Sequence, residues 1–166
     1  MRHLNGREPV SMLLGERSVI INGVEYFQHK PGNKKTNFIF NGVCYDTYEE
    51  LMIAEMLFWM KIPFLHHVNF SFRLYPEDEE ETIWCPDFVL EAPFRWVGEV
   101  CNGSVIVGIE VKHKKTIGRP RKKSKALLRE LGIPIILLSR RDIQPYYHKR
   151  HLALPLKPVS PTAQVA

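Results

Sequence analysis

Two segments near the start of the chain set Asn-Gly between short apolar, β-prone runs: Ile20-Ile21-Asn22-Gly23-Val24-Glu25-Tyr26 and Ile39-Phe40-Asn41-Gly42-Val43-Cys44-Tyr45. Both residues of Asn-Gly accept positive φ, so each segment is predicted to be a β-hairpin. Residues 29–36, HKPGNKKT, read as a basic loop between them. A helix is expected to begin near Thr47, where Thr47-Tyr48-Glu49-Glu50 has the form of a capping box, and to run to Met60. It is apolar nearly all round, which predicts burial on several sides, and Ile62-Pro63 ends it. Val68, Phe70, Phe72 and Leu74 alternate with polar residues and predict a strand, and Ile83 to Leu90 predicts a second, with Pro86 marking an edge or a strand start. Residues 91–104 read as a connecting loop or hairpin, and Ser104 to Lys112 as a third strand. A second helix is expected from Pro120 to Leu131, capped by Gly132, and Ile133 to Leu138 as a fully buried fourth strand. From Pro145 onward the chain reads as an extended, partly disordered tail. The order is helix, three strands, helix, strand, which predicts an α/β fold with a mixed sheet.

Composition narrows the class. The 166 residues are 45% hydrophobic and 25% charged, enough for a real core and for one domain of ordinary size. Cys44, Cys85 and Cys101 give neither a CxxC pair nor an even disulfide set, so an intracellular, cytoplasmic protein is expected. No signal peptide and no membrane-length apolar run is read, and no membrane partner is expected. The net charge of +5 is modest, but eight basic residues and no acid lie between Lys112 and Lys125. Such a one-signed cluster suits a polyanion. The acidic run Glu77 to Glu81 reads as a solvated hairpin tip.

Candidate chemistry gathers on the second and third strands. Alternation puts Val105, Val107, Ile109 and Val111 on the core face, and Glu110 and Lys112 together on the other, about 7 Å apart. Asp87 follows Pro86 in an otherwise apolar strand, where an unpartnered carboxylate is costly to bury. A meander of consecutive strands sets Asp87 beside Glu110, and two carboxylates held together call for a cation such as Mg²⁺ or Mn²⁺. Three glutamates of the first helix compete to join them. Glu50 shares a face with Ala54 and Leu57 and is chosen over Glu49 and Glu55. His66 and His67 are read as structural, because neighbours on a strand point to opposite faces. Cys85 reads as a small buried hydrophobe, and Tyr146-Tyr147 as cover for an apolar edge, as a base-stacking pair or as a dimer contact.

Pro86-Asp87, 22 intervening residues and then Glu110-Val111-Lys112 resembles the signature of the PD-(D/E)XK nuclease superfamily. Thr47-Tyr48-Glu49-Glu50-Leu51-Met52-Ile53-Ala54 is similar to the entry of that family's first core helix, and the resemblance covers residues 45–140. It implies a restriction-endonuclease-like αβββαβ core at residues 45–145, with a β-hairpin extension at 1–44 and an extended tail at 146–166. It implies Mg²⁺, with Mn²⁺ as a substitute, held by Asp87, Glu110 and the Val111 carbonyl. Glu50 would serve a second ion, and Lys112 would position the attacking water. Lys114, Lys115, Arg119, Arg121, Lys122 and Lys125 would grip DNA, Lys122 and Lys125 above all. The implied activity is metal-dependent DNA cleavage by a homodimer, selective for Holliday junctions or other branched DNA. Sequence-specific restriction, homing or transposon-end cleavage, RNA cleavage and a non-catalytic nucleic-acid-binding module remain as alternatives.

Overall fold

A computed structural model describes residues 14–29, 36–112, 118–147 and 152–159, with side chains from Arg17 onward. Both Asn-Gly segments turn hairpins. Strands β1 (Leu14–Ile21) and β2 (Val24–His29) pair across Asn22 and Gly23, and β3 (Phe38–Phe40) pairs with β4 (Val43–Tyr45) across Asn41 and Gly42. All four turn residues have positive φ, as this turn chemistry requires. Residues 30–35, most of the basic loop between the hairpins, lie outside the described residues.

Helix α1 (Tyr48–Trp59) starts at the expected cap. The Thr47 hydroxyl accepts from the Glu50 N–H at 3.2 Å, and Glu50 Oε2 accepts from the Thr47 N–H at 2.9 Å. Met52, Ile53, Ala54, Met56 and Leu57 are fully buried, in keeping with a helix that is apolar on most sides.

The central sheet has five strands: β5 (Phe64–His66), β8 (Phe88–Trp96), β9 (Val105–Val111), β10 (Ile135–Leu138) and β11 (Leu156–Pro158). Its order is β10-β9-β8-β11, with β5 also on β8. Strand β8 is antiparallel to β5, β9 and β11, whereas β9 and β10 run parallel and are joined through α2 (Gly118–Leu131), so the sheet is mixed. The sheet separates two cores. Phe88, Leu90, Ile109, Val111, Ile136 and Leu138 face α1, together with Ile143 of α3 (Arg140–Tyr147). Leu65, Val89, Val107 and Ile135 face α2 and the first hairpin, through Ala126, Leu127, Val19 and Ile21.

Four sequence expectations need correction. The run from Val68 to Leu74 is not a strand of the main sheet. The chain leaves the sheet at His67, which has a φ of 60°, and β6 (Phe70–Phe72) instead pairs with β7 (Thr82–Trp84) in a hairpin laid on the α2 face. The segment from Ile83 to Leu90 divides at Pro86, which has no N–H to give to a ladder, and β8 then runs on through Pro93 to Trp96. Residues 91–104 thus form the hairpin alternative, six of them lengthening the strand and the rest turning into β9. Alternation along β9 also breaks. Its register against β8 slips between the Val89 and Phe94 pairings, so Val105 is exposed, Ile106 is buried beside Ile109, and Val107 faces the opposite core. Finally, the chain is helical, not extended, through Pro145 to Tyr147, and Leu156–Pro158 adds a strand to the edge of β8. The cover expected of the tyrosine pair is seen, with Tyr146 and Tyr147 packing on the α1 core.

The acidic run does sit in the β6–β7 connection, with Glu77, Glu79, Glu80 and Glu81 exposed. No described helix is long and apolar enough to cross a membrane.

Candidate metal centre

The antiparallel pairing of Phe88 with Ile109 sets Asp87 across from Glu110, at the end of the sheet where β9 finishes. Each of these acids is tied to the other's strand. The Asp87 N–H donates to Glu110 Oε2 at 2.9 Å, and the Val111 N–H donates to Asp87 Oδ2 at 2.7 Å. In an extended strand the N–H and C=O of one residue point to the same side, so the Val111 carbonyl also faces the Asp87 strand. The capping box brings in the third acid. Glu50 is 3% exposed, Asp87 is 9% exposed, and their carboxyls interact directly.

Three carboxyls so close and so dry cannot all stay ionised unaided. Burial first, and then the hydrogen bond and charge of Asp87, push Glu50 up to about 9. Burial and the Asp87 charge likewise push Glu110 up to about 9. Asp87 goes the other way. Burial works to raise it, but hydrogen bonds from His67, Glu50 and the Val111 N–H outweigh that, and its carboxyl is held below its ordinary value. The cluster is short of positive charge, and its oxygen donors fit a divalent cation.

Sequence reasoning missed the histidines. The positive φ at His67 cancels the alternation that would separate neighbours on a strand, and the two imidazoles stack with centroids 3.7 Å apart. His67 Nε2 lies 3.5 Å from Asp87 Oδ1, and one donor atom each of Glu50, His66 and His67 lie within 4.8 Å of one another. Burial, then the neighbouring His67, pull His66 down to about 4, so its ring is neutral at ordinary pH. No sequence feature announces the positive φ. The adjacency of two histidines at the end of a strand was the only available signal.

Lys112 follows directly on the site, half-buried, with its N–H donating to the Leu138 carbonyl at 2.8 Å. Its ammonium pairs with no acid among the described residues. Arg119, Arg121, Lys122 and Lys125 are exposed on α2, while Lys114 and Lys115 lie outside the described residues. The α2 cation that feels the Glu110 charge is Lys123, which sequence reasoning passed over. It is half-buried, and burial followed by Arg119 lowers its pKa against the opposing pull of Glu110 and Cys85. Its spacing of three from buried Ala126 on one helical face was the signal. Cys85, half-buried, donates to Asn69 Oδ1 at 2.9 Å, and burial with the Glu110 charge pushes its thiol up to about 12. Glu55 is not part of the cluster, since it accepts from the Tyr147 hydroxyl at 2.9 Å.

Beside the histidines opens a cleft of about 760 Å³, lined by Phe40, Tyr45, Phe58, Trp59 and Phe64, with Arg17 and Lys61 among its polar residues. Comparison of the chain with family models, with curated proteins and with solved structures returns no match.

Proposed function

We propose that the chain is a divalent-metal-dependent DNA endonuclease of the PD-(D/E)XK kind. The observation that carries this reading is the reciprocal lock between Asp87 and Glu110–Val111, closed over by Glu50 from a separate element. The order α1-β5-β8-β9-α2-β10, with β8 antiparallel to β5 and β9 and β9 parallel to β10, agrees with the αβββαβ core such an enzyme needs.

Asp87, Glu110 and the Val111 carbonyl would hold Mg²⁺, with Mn²⁺ as a substitute, and Glu50 would serve a neighbouring ion. When bound, the cation supplies Lewis-acid polarisation of a phosphodiester and stabilises the charge that develops on it. Lys112 would orient the attacking water, being the half-buried lysine next in line after the Val111 peptide. Arg119, Arg121, Lys122 and Lys125 would neutralise backbone phosphates. The aromatic cleft offers rings on which unpaired bases could stack. The first hairpin is packed into the α2-side core rather than set apart as a recognition module, which favours selection of branched DNA by shape over base reading. Symmetric cutting of two strands would ask for a homodimer.

The test incubates supercoiled plasmid and a synthetic four-way junction with the protein, with and without Mg²⁺, beside Asp87→Ala. Metal-dependent cleavage lost in the variant is the expected result, with the junction cut in preference to linear duplex. DNA binding without cutting in either protein, with Mg²⁺ or Mn²⁺ present, would leave a binding module in place of the enzyme.

A further inference from the structure

The resemblance that suggests a nuclease involves no histidine, yet two imidazoles stand against its carboxylates. Their placement is built into the backbone from several sides. The Gln28 side-chain amide donates to the His66 carbonyl at 3.0 Å, and the His29 N–H donates to the His67 carbonyl at 2.6 Å. The His67 N–H in turn donates to the Asp87 carbonyl at 3.3 Å. Tyr45 and Phe88 pack against the His66 ring, with centroids 4.9 and 5.6 Å away. In this tightly held ring, Nε2 is buried and has no hydrogen-bond partner among the described residues. A buried polar atom left unmatched destabilises the fold, so its retention asks for a reason.

We infer that Glu50, His66 and His67 form a cation position of their own, beside Asp87, that takes a first-row transition ion and is poorly filled by Mg²⁺. Two donors bound at about 2.1 Å to one ion stand at most about 4.2 Å apart. Donors already within 4.8 Å of one another therefore close on an ion with only a small movement. Two nitrogens and a carboxylate oxygen make a borderline donor set. Mg²⁺ keeps to oxygen ligands and gives up its waters reluctantly, whereas ions from Mn²⁺ to Zn²⁺ accept imidazole readily. Asp87 Oδ1, 3.5 Å from His67 Nε2, links this position to the all-oxygen one formed with Glu110. The inference concerns the same site as the proposed nuclease but does not require that the site cut DNA.

The experiment uses the full chain, stripped of metal with a chelator and titrated with Mn²⁺, with binding followed by loss of the free-ion electron paramagnetic resonance signal. Bound Mn²⁺ is expected to resist about a hundredfold excess of Mg²⁺ and to show nitrogen hyperfine coupling. His66→Ala and His67→Ala are each expected to weaken it about tenfold or more. Complete displacement by Mg²⁺ together with a nitrogen-free spectrum would overturn the inference, as would unchanged Mn²⁺ affinity in folded histidine variants. Should those variants fail to fold, the nitrogen coupling of the unaltered protein decides alone. Cleavage that runs equally in Mg²⁺ and Mn²⁺ with a nitrogen-free spectrum would sink this inference and keep the nuclease. Nitrogen-coupled Mn²⁺ on a protein that cuts no DNA would do the reverse.

Discussion

A carboxyl pushed up to about 9 carries its proton at neutral pH, and Glu50 and Glu110 both stand there, against an ordinary value of 4.5. The folded chain therefore holds more protons than the unfolded chain between those values. Stability from this source is complete below about 4.5 and is lost as pH rises toward about 9. The metal-free protein is expected to melt at progressively lower temperature as pH is raised across that window. Mg²⁺ or Mn²⁺ should raise the melting temperature more at pH 8 than at pH 6, because the ion replaces protons. Glu50→Gln should flatten the pH dependence and diminish the gain from metal, and thermal melts in a set of buffers check both. A melting temperature that climbs with pH in the absence of metal would contradict the proton accounting.

At the scale of the element, the seating of β9 between β8 and β10 beside the site leaves no room for a side chain at Gly108. A Cβ there would run into Ile135 Cδ1 and stand 2.7 Å from the Phe88 carbonyl oxygen. The isoleucine tip can turn away, but the carbonyl belongs to the residue after Asp87 and is backbone. Gly108→Ala is expected to cost about 1–3 kcal/mol of stability and to weaken cation binding at Asp87, measured by denaturant unfolding and by metal titration. The elements themselves were legible to different degrees. Asn22-Gly23, Asn41-Gly42 and the Thr47–Glu50 cap are local chemistry, and each folds as its residues dictate. The partner of an alternating run is not local. Val68, Phe70 and Phe72 are buried as their pattern requires, yet they pack as a hairpin on the α2 face, because a turn at His67 takes them out of the sheet. Asp87 facing Glu110 was legible because Phe88 and Ile109 sit in strands whose apolar runs identify them as neighbours. Helix α3 was hidden by Pro145, although Ser139 and Asp142 already carry the signature of its start, with the Ser139 N–H donating to Asp142 Oδ2 at 2.8 Å.

Over the whole molecule, charge is graded along α2. Its exposed cations Arg119, Arg121, Lys122 and Lys125 lie within four residues of Lys123, which feels the Glu110 charge. Its far end is bound to the acidic hairpin, where Arg73 Nε meets Glu130 Oε1 at 2.9 Å and Arg129 donates to the Arg73 carbonyl. A polyanion is drawn to one end of this gradient and repelled from the other. If DNA docks on the cationic end, Lys122→Glu and Lys125→Glu should each weaken binding across all sequences. Each should also lower the slope of log affinity against log salt by about 1, read by fluorescence anisotropy at several salt concentrations. An unchanged slope would move the DNA elsewhere. Glu50 ties this field to the fold, because the carboxyl proposed to meet a cation is also the group that seals the first turn of its own helix. It arrives already aimed, and it leaves only if that turn frays. If the proposed cation binds there, it is spared the entropic toll of recruiting a loose side chain, and a chain that has not yet wound this helix offers it no such carboxyl.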